Sequence, residues 1–91
     1  MIMIDISVDR ENQLAYVTFN SGFSDRTIEA TSSVNVDLTS DGDVLGVEFL
    51  WFGNLNAQRE ELLKELSGAD EKIVDAILEA QSILLNELSA K

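Results

Sequence analysis

The hydrophobic pattern of this chain changes its period once, near Gly53. Before that residue, apolar and polar side chains alternate, which is typical of half-buried β-strands. After it, apolar residues recur every three or four positions, which is typical of amphipathic helices. A chain of 91 residues can bury about 60–65% of its unfolded surface, enough for one modest core. The pattern therefore predicts a single α+β domain over residues 1–91, with a β-sheet core over residues 1–52 and a helical tail over residues 54–91.

The β-sheet core is predicted to be a four-stranded antiparallel sheet made of two hairpins. Polar residues form the turn of the first hairpin, and Asp41-Gly42 closes the second, where glycine supplies a positive φ. The third strand is the weakest, because its alternation is interrupted near Ser32 and Ser33. The predicted strands cover residues 2–8, 14–19, 27–38 and 44–52.

The fourth predicted strand ends in an apolar run, Phe49, Leu50, Trp51 and Phe52. Successive side chains of a strand point to opposite faces, so this end is apolar on both faces and must be covered on both. We expect the tail helices to cover it, because burial within the chain is the default. A partner protein is the alternative.

The tail is predicted to form two helices joined by a tight turn and packed on one face of the sheet. Asn56 is the expected N-cap of the first helix, and Glu60 and Glu61 lie in its first turn, where the helix dipole favours acidic residues. Gly68 suits the end of this helix. Asp70 can then cap a second helix of about 20 residues.

The second helix carries an apolar stripe whose spacing alternates between three and four residues, as in a coiled-coil seam. The stripe has two interpretations. Packing on the apolar face of the sheet is the simpler one for a helix of fewer than three heptads. Pairing with a second copy or with a partner is the other. The stripe consists of Val74, Ile77, Gln81, Leu84 and Leu88, of which only Gln81 is polar.

The chain contains no cysteine and no histidine. Their absence excludes disulfides, thiolate zinc ligands, nucleophile–histidine pairs and histidine acid–base catalysis. The five glycines are scattered and form no phosphate-binding loop. Carboxylate pairs are too common in such an acidic chain to indicate a glycosidase site. We therefore predict a protein that is not an enzyme and has no cofactor or metal.

Residues 37–48 match the spacing of a calcium-binding loop, with oxygen ligands, a central glycine and Glu48 in the last position. Such loops are normally framed by two helices, whereas both flanks here are predicted strands. Glu48 would lie about 15–20 Å beyond the turn in an extended strand, too far to close the site. The pattern is therefore assigned to a hairpin.

The longest apolar run, residues 49–52, is far shorter than the ~20 residues that a membrane-spanning helix needs. Residues 1–4 lack the basic start and long apolar stretch of a signal peptide. We therefore expect a cytoplasmic protein that does not enter membranes.

The formal net charge of −11 is the extreme feature of the composition. Lys and Arg are few and do not cluster, which argues against direct binding to nucleic acid. The helix–turn–helix pattern of the tail does not change this, because residues 70–75, the candidate recognition segment, are acidic. The charge has two interpretations: it steers a basic partner, or it only keeps the protein soluble, which is the simpler one.

Three segments of the first half resemble a known family. They are residues 14–19, residues 34–38 and residues 41–50, the last reading Asp-Gly-x-Val-x-Gly-Val-Glu-x-Leu. Over about residues 4–50 the chain resembles the small bacterial and phage family called domain of unknown function 2283, and the tail lies outside the resemblance. The resemblance implies an antiparallel β core, with no settled activity and no catalytic residue to carry over. Some relatives look like small companions of toxin-like proteins, which suggests an antitoxin or inhibitor.

Together these observations predict a small, acidic, non-enzymatic protein-binding module, either antitoxin-like or a phage-type accessory protein, whose carboxylates steer a basic partner. One alternative is a nucleic-acid mimic that inhibits a basic DNA- or RNA-binding protein. Another is a structural homodimer whose long helices pair. The predicted interface residues are Phe49, Leu50, Trp51, Phe52, Val74, Ile77, Gln81, Leu84 and Leu88.

Overall fold

The computed structural model describes residues 2–51, 55–66 and 71–89. It is an α+β structure in which an antiparallel sheet is followed by two helices, as the change of period predicts. The elements are β1 (Asp5–Asp9), β2 (Leu14–Thr18), β3 (Arg26–Thr31), β4 (Val34–Leu38), β5 (Val44–Phe49), α1 (Arg59–Glu65) and α2 (Glu71–Ser89).

The sheet has five strands, so the prediction of four was wrong. The interruption at Ser32 and Ser33 is a turn that joins β3 to β4. The hydroxyl oxygen of Thr31 accepts a hydrogen bond from the backbone N–H of Ser33 at 3.2 Å, and Thr31 pairs with Val34 across the turn. Serine and threonine stabilise turns through such bonds. The apparent break within one strand is therefore a third hairpin.

The strand order is β1-β2-β5-β4-β3, and every neighbouring pair is antiparallel. The first hairpin, β1–β2, joins the β3–β4–β5 meander through the pairing of β2 with β5. As a result β5 lies at the centre of the sheet, while β1 and β3 form its two edges.

The Asp41-Gly42 turn connects β4 to β5, as predicted. Gly42 has a φ of +85°, which L-residues with side chains rarely adopt. Its N–H donates to the carbonyl of Thr39 at 2.9 Å, and the N–H of Thr39 donates to the carbonyl of Asp43 at 2.9 Å. The segment that resembles a calcium loop is thus a β-hairpin.

The core lies between one face of the sheet and the two helices. Val17, Val47 and Val36 are side by side on the three central strands. The apolar stripe of α2 packs against this face, so the simpler interpretation of the stripe describes the structure. Fully burying such a side chain contributes about 1.5–3 kcal/mol relative to leaving it exposed. The side chains with no exposed surface include Val17, Val36, Val47, Val74, Ile77 and Leu84.

Helix α1 begins later than predicted. Its N-cap position is held by Gln58, which makes no side-chain capping bond, so the prediction of Asn56 as N-cap was wrong. Glu60 and Glu61 do lie in the first turn. The helix is held by tertiary contacts instead: Leu62 is buried in the core, and the guanidinium of Arg59 donates to the Asp75 carboxylate of α2.

Helix α2 has 19 residues, close to the predicted length. The predicted helix end at Gly68 and cap at Asp70 fall outside the described residues. Neither helix in the described part of the chain has the length and apolar character needed to cross a bilayer.

Strand β1 is shifted relative to the prediction. Ile6 and Val8 pack against the core as expected, but Ile2 and Ile4 are 87% and 58% exposed. The N–H of Ile4 donates to the carbonyl of Thr18, which already pairs with Asp5. Two residues of the first segment thus oppose one residue of β2, and such an irregularity breaks the alternation of side chains.

Candidate protein-binding surface

The face of the sheet opposite the helices, called here the open face, is built from two rows of side chains. Directly paired residues of antiparallel strands point to the same face, so the register defines each row. Both rows cross all five strands in the order β1, β2, β5, β4, β3. The first row is Asp5, Thr18, Gly46, Asp37 and Thr27; the second is Ser7, Tyr16, Glu48, Asn35 and Glu29.

Hydrogen bonds between side chains of different strands orient the carboxylates at the centre of the open face. The hydroxyl of Tyr16 donates to one carboxylate oxygen of Asp37 at 2.7 Å, and the hydroxyl of Thr27 donates to the other at 2.5 Å. The side-chain amide of Asn35 donates to Glu48 at 3.2 Å. Bonds from neutral donors leave the negative charges in place, so the face is both ordered and acidic.

The ring of Tyr16 lies across the backbone of Gly46 on the neighbouring strand. A Cβ atom on Gly46 would be 2.3 Å from Cε1 of Tyr16, far closer than van der Waals contact allows. The missing side chain therefore makes room for the ring and lets its hydroxyl reach Asp37. A glycine and an aromatic residue stabilise a sheet by this kind of cross-strand packing.

The pKa of the Tyr16 phenol is raised above its ordinary value. Partial burial of the ring is the main cause, because it disfavours the phenolate. The hydrogen bond to Asp37 and the negative charges of Asp37 and Glu48 act in the same direction. Tyr16 is therefore a neutral hydrogen-bond donor at physiological pH.

The charge of the open face is of one sign. Four of the ten positions in the two rows are carboxylates, and none is lysine or arginine. Adjacent strands are ~4.8 Å apart, so carboxylates on neighbouring strands lie within a Debye length of each other. On the helical side, by contrast, Arg59 forms ion pairs with Glu71 and Asp75, and Lys72 forms one with Asp43.

One end of the open face is apolar. Leu14 lies two residues before Tyr16 on β2, and Leu50 lies two residues after Glu48, just past the end of β5. The N–H of Leu50 donates to the carbonyl of Ser33 at 2.8 Å, which holds this residue against the β3–β4 turn. Leu14 and Leu50 are each 40% exposed. Trp51, the next residue, is 51% exposed and borders a groove that Ala57 and Gln81 line on the helical side. We call these three residues the apolar end.

The predicted interface residues divide between the core and the apolar end. Phe49 and the stripe residues Val74, Ile77 and Leu84 are buried, and Leu88 packs against the core while partly exposed. A partner that meets this structure would not reach the four buried side chains. Among the predicted residues that the structure describes, Leu50 and Trp51 are the most exposed.

The two other predicted residues have different positions. Gln81 forms hydrogen bonds with both backbone groups of Ala57, at 2.9 and 3.1 Å, and so ties α2 to the segment before α1. Phe52 lies outside the described residues. The interface role of all nine residues stays a prediction.

The acidic rows of the open face are not apparent in the sequence. Each carboxylate occupies a polar position of its own strand, but only the strand order makes them neighbours. Asp37 on β4 and Tyr16 on β2, for example, come within hydrogen-bond distance because both strands pair with β5. Pairing of strands distant in sequence is not contained in the local alternation that reveals each strand.

Two further grooves border the sheet. The larger, about 400 Å³, lies between the loops at residues 20–25 and 39–43, where Phe23 is 93% exposed. The smaller, about 210 Å³, lies beside Trp51 and Gln81. In the part of the chain that the structure describes, no cluster of three or more acidic side chains is arranged to hold a metal ion.

Comparison with known proteins gives one match. Neither a curated protein nor a solved structure matches the chain. The model of the family described as protein of unknown function (DUF2283) matches residues 5–52, which contain all five strands and more than half of the 91 residues. The chain therefore belongs to this family, with the helical tail as an addition outside the matched region.

Proposed function

We propose that this protein is a non-enzymatic accessory or inhibitor module of the antitoxin-like kind, and that it binds a basic protein on the open face of its sheet. The observation that carries the proposal is the pair of five-residue rows, which present four carboxylates and no basic residue on a face that the helices leave uncovered. A basic protein surface is the complementary partner.

The apolar end supplies apolar surface for a partner to bury, which the acidic rows lack. Interfaces derive most of their binding energy from a few buried anchors, often aromatic, while surrounding charges set orientation and association rate. Leu14 and Leu50 are exposed apolar side chains at the margin of the rows, and Trp51 is exposed just beyond them. A partner with an apolar pocket next to a basic patch would engage both.

The ordered state of the central carboxylates favours binding as well. Asp37 is already fixed by Tyr16 and Thr27, so less side-chain entropy is lost when a partner docks. Asp5 and Glu29 are exposed carboxylates at the ends of the rows, and their side chains can adapt to the basic residues of the partner.

The experiment compares two variants with equal net charge. The open-face variant carries Asp5→Asn, Glu29→Gln and Glu48→Gln, and it retains Asp37 because two hydroxyls depend on that carboxylate. The control carries Glu61→Gln, Glu79→Gln and Glu87→Gln, all exposed positions on the helices. Each protein is immobilised and exposed to lysate of the source cell, and the retained proteins are quantified by mass spectrometry.

We expect wild type and the helix control to retain the same basic protein in stoichiometric amount. The open-face variant should bind it about tenfold more weakly, because three exposed ion pairs contribute roughly 0.2–1 kcal/mol each. Trp51→Ala should weaken binding by about 30-fold if Trp51 is an anchor. Equal retention by the two charge variants would refute the open face as the contact.

A second candidate is a nucleic-acid mimic, and the spread of negative charge across the open face favours it. The four carboxylates lie on four of the five strands, so the charge extends along the sheet as phosphate charge extends along a nucleic-acid strand. In that case the partner binds DNA or RNA, and a duplex oligonucleotide competes with this protein for it. If the oligonucleotide does not compete, the nucleic-acid mimic is excluded and the accessory or inhibitor module remains.

A further inference from the structure

A pocket of about 220 Å³ lies on the open face, where the second acidic row meets the apolar end. Asp9 and Leu14 pair with each other, two positions along the strands from the pair of Ser7 and Tyr16, so they point to the open face as well. Its lining includes Ser7, Asp9, Leu14, Tyr16 and Glu48. We call it the Tyr16 pocket.

The walls of the Tyr16 pocket combine apolar and acidic groups. Leu14 and Tyr16 lie on β2, while Asp9 on β1 and Glu48 on β5 flank that strand on either side. A volume of about 220 Å³ is below the range of sites for drug-sized ligands, about 300–1,000 Å³, and suits a single side chain. Apolar surface between two carboxylates is complementary to a long side chain that ends in a cation.

Neutral donors outside the pocket orient both carboxylates. The backbone N–H and the side-chain amide of Asn12 donate to the two carboxylate oxygens of Asp9, at 3.1 and 2.9 Å. These bonds lower the pKa of Asp9, the side-chain bond most of all, so the group is ionised at physiological pH. Asn35 donates to Glu48 at 3.2 Å from β4, the side of β5 that faces away from the pocket. Both negative charges are therefore retained and held in place.

The aromatic wall of the pocket is held in place too. The ring of Tyr16 lies against the backbone of Gly46, and the bond from its hydroxyl to Asp37 fixes its direction. A guanidinium suits such a wall, because it is planar, stacks on aromatic rings and donates up to five hydrogen bonds. An ammonium is compact and more strongly hydrated, so it gains less from the same contact.

We propose that the Tyr16 pocket receives an arginine side chain of the basic partner. The aliphatic part of the arginine packs on Leu14, and its guanidinium lies against the Tyr16 ring with Asp9 and Glu48 as acceptors. Among the ion pairs of the described residues, none involves Asp9 or Glu48. This inference rests on the proposed function, because it names the group of the partner that the open face recognises.

An arginine within a polypeptide fits the open face better than free arginine does. The two rows contain no lysine or arginine that could meet the α-carboxylate of a free amino acid. The acidic rows and the apolar end adjoin the pocket on either side, so a protein that inserts an arginine here also covers both of them.

The first test is a titration of the isotope-labelled protein with N-acetyl-arginine amide, followed residue by residue by two-dimensional NMR. We expect saturating shifts that are largest at the amides of Leu14, Tyr16 and Glu48. N-acetyl-lysine amide carries the same charge and should bind about fivefold more weakly, because it lacks the planar fork of donors. Shifts that do not saturate by about 50 mM, or that are largest elsewhere, would overturn the proposal. Equal affinity for the two probes would also overturn it.

The second test compares two variants of equal net charge with the same arginine probe. The pocket variant carries Asp9→Asn and Glu48→Gln, and the control carries Asp5→Asn and Glu29→Gln, on the open face outside the pocket. The amides that replace Asp9 and Glu48 keep an acceptor oxygen for Asn12 and Asn35. The dissociation constant should rise about fivefold in the pocket variant and less than about twofold in the control, because contacting ion pairs are lost only in the former. Equal changes would overturn the proposal.

The third test is competition with the partner that the immobilised protein retains from lysate. At ten times its dissociation constant, the arginine probe should weaken retention about tenfold by mass action. The lysine probe at the same concentration matches the ionic strength and should weaken it about threefold or less. A partner retained equally with both probes would refute the arginine pocket alone, whereas the lack of any stoichiometric basic partner would refute the proposed function.

Discussion

The side-chain amide of Gln81 makes both of its hydrogen bonds to a single residue, Ala57. Its oxygen accepts the N–H of Ala57 at 2.9 Å, and its nitrogen donates to the carbonyl of Ala57 at 3.1 Å. The polar residue that interrupts the apolar stripe is therefore the clamp that holds the segment before α1 against α2.

The contact between Gln81 and Ala57 predicts the effect of Gln81→Leu. If α2 paired with a second copy along its apolar stripe, this substitution would make the stripe continuous and stabilise the dimer. In this structure the substitution leaves two partly buried backbone groups of Ala57 without partners, which costs about 1–3 kcal/mol. We expect the free energy of unfolding in urea to fall by that amount. Ser82→Leu, at the exposed neighbouring position, is the control and should change it by less than about 0.5 kcal/mol.

A second prediction concerns Gly46 and Tyr16. A methyl group on Gly46 would displace the Tyr16 ring and break its hydrogen bond to Asp37. Gly46→Ala should therefore lower the free energy of unfolding by about 1–3 kcal/mol. In a Tyr16→Ser background the ring is absent, and the same substitution should cost much less. Urea unfolding of the four proteins measures this coupling, and additive costs would contradict the proposed contact.

A third prediction follows from the raised pKa of Tyr16. Because the chain has one tyrosine, the ultraviolet absorbance of phenolate reports this residue alone. Its midpoint in the folded protein should lie above the ordinary value of about 10. Asp37→Asn should lower the midpoint, since it removes a negative charge that disfavours the phenolate and adds an amide N–H that can donate to the phenolate oxygen.

The same shift has a consequence for stability. The folded state holds the Tyr16 proton more tightly than the unfolded chain, so the stabilisation is complete below pH ~10 and is lost as the pH rises through the folded-state pKa. Urea unfolding should therefore show a steeper decline above pH ~10 for wild type than for Asp37→Asn. Parallel declines in the two proteins would contradict a role of Asp37 in the shift.

Local patterns predicted most of the elements of this fold and failed at its connections. Alternation located the strands, and the three-and-four spacing located α2, because each signal is contained in a few adjacent residues. The β3–β4 turn was missed because Ser32 and Ser33 lack the glycine or asparagine that usually marks a two-residue hairpin. The N-cap at Asn56 was wrong because tertiary contacts of Leu62 and Arg59 hold α1.

The candidate surface was harder to predict from the sequence than the fold. The apolar run from Phe49 pointed to Leu50 and Trp51, but the alternation within it could not show that Phe49 faces the helices. The acidic rows depend on β5 returning to the centre of the sheet beside β2. That pairing joins strands separated by two others in sequence, and nothing local to either strand encodes it.

The final prediction is that salt weakens the proposed association with a basic partner. Binding of a basic partner to the open face should weaken by about tenfold between roughly 50 and 500 mM NaCl, because screening reduces attraction between opposite charges. Isothermal titration calorimetry measures the dissociation constant. The helix variant with Glu61, Glu79 and Glu87 replaced by glutamine keeps the four carboxylates of the two rows, so its affinity should fall by a similar factor. A dissociation constant that does not change with salt would contradict a contact between the acidic rows and a basic surface.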